Sequence, residues 1–125
     1  MKFILTESKM ERIIFKYLNS KTFEIIKKKY YPYFSTEEIV GTYYHFVLPG
    51  NDTSDMRYSS FDGRLYITSE LLYDVMDMFS IEEDDALIYI SEWVEEEINK
   101  KIDIYNVSYF SKNSLFGWNV FELED

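Results

Sequence analysis

The chain contains no cysteine, one histidine, two prolines and four glycines in 125 residues. The missing cysteines exclude disulfides, thiolate metal sites and cysteine nucleophiles. A single histidine excludes a catalytic histidine pair and any multi-histidine metal site within one chain. With so little glycine and proline the chain is not low-complexity or collagen-like. No apolar run approaches the roughly 20 residues that a membrane-spanning helix requires. The opening Met-Lys-Phe-Ile-Leu is cut short by Glu7 and Lys9. A secretory leader needs an apolar stretch of about 7–15 residues, so secretion is not expected and the chain should stay in a cytoplasm. There is no phosphate-binding glycine loop, dinucleotide fingerprint, nucleophile elbow or zinc-protease motif.

What is present is aromatic and acidic. Twelve tyrosines, ten phenylalanines and two tryptophans make up 19% of the chain. Tyrosine has an apolar body and a polar tip, which suits half-buried and interface positions as well as sheet and core filling. Net charge is −10 and unevenly spread. Residues 1–60 carry 9 bases against 7 acids, whereas residues 61–125 carry 4 against 16. Eleven acids and no base fall within 70–97. Such a surface repels nucleic acid and anionic membranes and attracts a basic protein surface. It also keeps an aromatic-rich protein soluble.

At 125 residues with 46% hydrophobic content, one folded domain is expected over the whole of 1–125. Thr6 is a good N-cap, with Leu5 and Met10 placed for a hydrophobic staple. Met10, Ile13, Ile14, Tyr17 and Leu18 recur at helical spacing, giving a helix over about 7–18. Residues 21–31 read as a second helix stopped by Pro32, with Phe23, Ile26 and Tyr30 on one face and Lys27, Lys28 and Lys29 in its last turn. That lysine run beside Tyr30 and Tyr31 would also suit nucleic acid, but a solvated helix end fits an acidic chain better.

Residues 39–48 read as a strand, Met56–Ser60 as another and Arg64–Ile67 as its return across the Asp62-Gly63 turn. Thr68 or Ser69 caps a helix to about Phe79, with Leu72, Val75, Met76 and Phe79 on one face. Ser80 with Glu83 forms a capping box for a helix over 82–99. Its buried stripe is Leu87, Ile90, Val94 and Ile98, with Trp93 beside it. Glu92, Glu95 and Glu96 face outward, and Lys100 and Lys101 close the end. Ile102 to about Phe110 alternates as a strand, and Phe116–Leu123 reads as a last one. The fold class expected is α+β: an antiparallel sheet of four or five strands with three or four helices packed on it.

No cluster demands chemistry. Glu82, Glu83, Asp84 and Asp85 fill a helix start, where negative charge favours the dipole, and point in different directions around the helix. Asn51, Asp52, Ser54 and Asp55 lack calcium-loop spacing and read as a turn. His45 lies within an apolar strand without a visible nucleophile or orienting acid. Neither cofactor nor metal is expected, and the chain is read as non-enzymatic.

Ile4-Leu5-Thr6-Glu7-Ser8 leading into Arg12-Ile13-Ile14 resembles the start of small, mostly uncharacterised proteins of tailed bacteriophages. Gly63-Arg64-Leu65-Tyr66-Ile67, continuing through Glu70-Leu71, Met78-Phe79 and Glu92-Trp93-Val94-Glu95-Glu96, is similar to such proteins as well. The resemblance implies a viral origin and a fold, and carries no catalytic residue with it. The reading that follows is a phage protein that works by binding a virion or host protein, as a small virion component or accessory factor. It would bind neither nucleic acid nor membrane directly, and would form a homo-oligomer or a stoichiometric complex. Tyr43, Tyr44 and Tyr105 are its candidate contact residues. The competing reading is an acidic inhibitor that imitates nucleic acid, with Glu92, Glu95 and Glu96 standing in for phosphates against a nuclease or other nucleic-acid-binding protein.

Overall fold

The computed structural model describes residues 7–30 and 41–111. These form α1 (Glu7–Ser20), β1 (Glu24–Tyr30), β2 (Gly41–Val47), β3 (Ser54–Ser59), β4 (Arg64–Thr68), α2 (Ser69–Phe79), α3 (Glu83–Ile98), a 3-10 turn (Ile104–Asn106) and β5 (Val107–Phe110). The sheet order is β1-β2-β3-β4-β5. The first four strands are an antiparallel meander, and β5 joins β4 in parallel after the chain has crossed over through α2 and α3. The α+β class therefore holds, with a mostly antiparallel sheet rather than a purely antiparallel one.

Strand alternation gives the sheet two unlike faces. One carries Phe46, Met56, Tyr58, Leu65 and Ile67, all buried. Ile14 and Leu18 of α1, Leu71, Leu72 and Val75 of α2, and Ala86, Ile90, Trp93 and Val94 of α3 complete the same core. Leu87 and Ile98 of the expected stripe are only half-buried, and Trp93 belongs to the core rather than beside it. Trp93 meets Phe46 at 5.7 Å and Phe23 at 5.8 Å between ring centroids. Its indole N–H donates to Asn19 Oδ1 at 2.9 Å, tying α3 to the end of α1.

Several local expectations are corrected. Residues 24–30 are a strand, not a helix. Thr22 turns left-handed (φ 53°) directly after α1, and all seven residues of β1 then pair with β2. Ile25 and Lys27 fall on the helix side, and Ile26 and Lys28 on the other, a period of two that long-range pairing selects over the helical spacing. The capping box does not form. Ser80 is the left-handed C-cap of α2 (φ 51°), and α3 starts after Glu82 with no side-chain cap. Thr68 does cap α2, accepting from the Leu71 N–H. Lys100 and Lys101 lie beyond the last turn of α3, which closes at a left-handed Asn99. The strand expected from Ile102 starts only at Val107, because Asp103 accepts from the Tyr105 N–H at 3.0 Å and turns the chain first. Gly63 takes φ 70° in the β3–β4 turn, as the Asp62-Gly63 pair requires. The Thr6 cap, the Leu5–Met10 staple, Pro32 and the 116–123 strand lie outside the described residues.

Candidate functional site: an acidic groove beside an exposed tyrosine

Beyond Asn99 the chain turns back along α3. The Ile102 N–H donates to Glu95 Oε1 at 2.8 Å, and Ile102 is buried. Asp103 then caps the 3-10 turn, which presents Tyr105 to solvent at 92% exposure. Between this turn and α3 runs a groove of about 610 Å³. Ile88, Ile102 and Ile104 supply its apolar lining, and Glu92, Glu95 and Asp103 its carboxylates. Lys101 is the single cation among the lining residues. A smaller depression of about 240 Å³ lies against the same helix, lined by Glu11, Asp85 and Tyr89, and shares Ile88 and Glu92 with the groove. Ile88 and Glu92 are thus the ridge between two acidic hollows.

Two of the residues singled out from sequence meet here, Glu92 and Glu95; Tyr105 does not line the groove, although its chain neighbours Ile104 and Asn106 do. Glu96 is exposed on the next position of α3 and does not line it. Tyr43 and Tyr44 are elsewhere, and on opposite faces of the sheet, as adjacent strand residues must be. Ile88 was not singled out, yet it sits one residue off the buried stripe of α3 and is 39% exposed. An aliphatic residue off the stripe was the available signal. Ile104 and Asp103 join the site only through the return of the chain.

The rest of the acidic run is divided. Glu82, Asp84 and Asp85 are exposed at the start of α3. Glu83 accepts a hydrogen bond from the Tyr109 hydroxyl, which pushes that phenol above its usual range. Among the described residues no three histidine or carboxylate side chains converge as a metal cage would need.

The second face of the sheet carries a different cluster. His45, Arg57 and Tyr66 are cross-strand neighbours on β2, β3 and β4. His45 is fully buried and Arg57 nearly so. The Arg57 guanidinium lies 4.6 Å from the Tyr43 ring centroid and 5.1 Å from that of Tyr66. His45 Nδ1 is 3.4 Å from Ser54 Oγ, and Nε2 has no hydrogen-bond partner among the described residues. Burial first, then the charges of Arg57 and Lys28, lowers the imidazole from 6.5 to about 4. His45 is neutral near pH 7 and is a structural member of this layer.

No family model, curated protein or solved structure matches the chain.

Proposed function

We propose that the chain is a non-enzymatic protein-binding component that takes a basic, aliphatic-bearing segment of a partner protein into the groove beside α3. The observation that carries this reading is Tyr105, 92% exposed on a side-chain-capped turn at the edge of an acidic groove with aliphatic lining. A large ring on a fixed backbone loses little freedom on binding, and tyrosine is enriched among residues that dominate interface energies. The carboxylates around Ile88 and Ile104 steer a cationic partner and set its register. The resemblance to small phage proteins supports the role of virion component or accessory factor, with the partner a virion or host protein.

A nucleic-acid mimic would use the same helix differently. Its carboxylates would dominate and the ring would be incidental. It is favoured by the acids on both sides of the Ile88–Glu92 ridge: Glu11 and Asp85 on one side, Glu95 and Asp103 on the other.

The test begins with a tagged pull-down from nuclease-treated bacterial lysate eluted by a salt gradient. The partner is identified by mass spectrometry, purified and titrated against three proteins. Tyr105→Ala should weaken binding by about tenfold or more, with circular dichroism unchanged. Glu92→Lys should weaken it and flatten its salt dependence. Loss with Glu92→Lys but none with Tyr105→Ala selects the mimic. Full affinity in both variants removes the groove as the contact surface.

A further inference from the structure

A second cleft lies on another flank of α3, where its C-terminal end meets β1 and β2. It measures about 420 Å³, within the size range of small-molecule sites. Lys27, Tyr44 and Lys100 line it together with Ile25, Ile98 and Asn99. Lys27 stands directly opposite Tyr44 in the β1–β2 register, so backbone pairing fixes their proximity. Its ammonium lies 5.5 Å from the Tyr44 ring centroid, and that of Lys100 lies 5.9 Å from the same ring. Tyr58 contacts the ring at 5.8 Å and holds it.

Two like charges gathered on one ring repel each other. The chain has 23 carboxylate side chains with which to neutralise them. Glu97 even lines the same cleft. Yet neither lysine forms an ion pair among the described residues. Nor does the side chain of Asn99, another lining residue, have a hydrogen-bond partner among them. The Lys100 backbone N–H is already given to Glu95 O at 3.3 Å, so the donors left are side chains.

We propose that this cleft binds a phosphate dianion, with Lys27 and Lys100 supplying the countercharge and the Tyr44 hydroxyl and Asn99 amide supplying neutral donors. Two ammonium groups on flexible four-carbon stems turn to one dianion where a singly charged anion would need only one of them. Ile25 and Ile98 offer an apolar wall to an organic substituent, so free phosphate and a phosphate monoester share the chemistry. Neither Glu92 nor Glu95 lines the cleft, and the site is independent of the protein-binding groove.

The test is a titration of the ¹⁵N-labelled full chain, followed by amide shifts, with inorganic phosphate, with ribose 5-phosphate and with sodium chloride at matched ionic strength. Both phosphates should give saturable shifts centred on residues 27, 44, 99 and 100, with dissociation constants of about 1 mM or tighter. Lys27→Gln and Lys100→Gln, both at exposed positions, should each weaken binding about fivefold or more while the remaining spectrum is retained. Tighter binding of the sugar phosphate assigns the site to a monoester, and equal binding assigns it to the free ion. Equal shifts with chloride, shifts that do not saturate, or full affinity in both glutamine variants overturns the proposal.

Discussion

The two faces of the sheet are both buried, but by opposite chemistry. On the helix side, Phe46, Met56, Leu65 and Ile67 have no exposed surface and pack against three helices. On the other side, His45, Asp55, Arg57 and Ser59 are buried while carrying polar or charged groups. The helix side gains from removing apolar area from water and asks little of geometry. The polar side buries groups that need partners, and it meets that need only in part. Rings lie on either side of the Arg57 guanidinium and Ser54 makes a long contact to His45 Nδ1, while His45 Nε2 has no hydrogen-bond partner among the described residues. The comparison teaches that the first face sets how stable the protein is, and the second sets how stability depends on conditions.

The largest expected effect is on the apolar face. Phe46 is fully buried and touches both Phe23 and Trp93. Phe46→Ala removes the ring and leaves a cavity, and should lower the unfolding free energy by about 3–5 kcal/mol, read from chemical denaturation at neutral pH. The loss should be the same at pH 7 and at pH 5, because no proton is involved. A loss that grows on acidification would mean that the two faces are not separable in this way.

The polar face should show the reverse pattern. In the unfolded chain His45 titrates near 6.5, and in the folded chain near 4. Between those values the unfolded state binds the extra proton. Stability from a neutral His45 is therefore full above pH 6.5, falls as pH drops towards 4, and levels off below. The lowering of the imidazole corresponds to about 3 kcal/mol over that interval. His45→Leu keeps the volume apolar and cannot bind the proton. Its stability relative to the parent should rise by roughly that amount, about 3 kcal/mol, between pH 7 and pH 4. A constant difference across the interval would show that His45 is not held neutral by its surroundings.

The sequence made the first face easy to read and the second hard. Helical spacing located α1 and α3, and the Asp62-Gly63 turn placed β3 against β4, because those signals are local. Lys27-Lys28-Lys29 reads as a helix end, and only pairing with β2 across residues 41–47 makes it a strand. His45 stands alone in an apolar run, so nothing nearby in sequence announces Arg57 opposite it on β3. The acidic groove had the same difficulty. Glu92 and Glu95 are visible as outward acids of a helix, but Ile104 reaches them only after the chain has reversed at Asn99 and Asp103. Tyr43 and Tyr44 share a residue type, but the period of two along β2 sends them to opposite faces.

The smallest effect tests whether satisfied polarity inside the apolar layer behaves differently from the unsatisfied polarity of His45. Trp93 is 4% exposed and packs among Phe23 and Phe46, yet its indole N–H reaches Asn19 Oδ1 at 2.9 Å. Trp93→Phe keeps an aromatic ring there and removes the donor together with part of the indole. Asn19→Ala removes only the acceptor, and it leaves the indole N–H without this partner inside a part-buried site. A buried donor left unmade costs more than a hydrogen bond contributes. Asn19→Ala should therefore cost about 1–2 kcal/mol although Asn19 itself is exposed. The double variant with Trp93→Phe should cost less than the sum of the two single changes, by about 1 kcal/mol, since the bond can be lost only once. Strict additivity in denaturant titrations would show that the α1–α3 tie contributes nothing, and that the apolar face is held by packing alone.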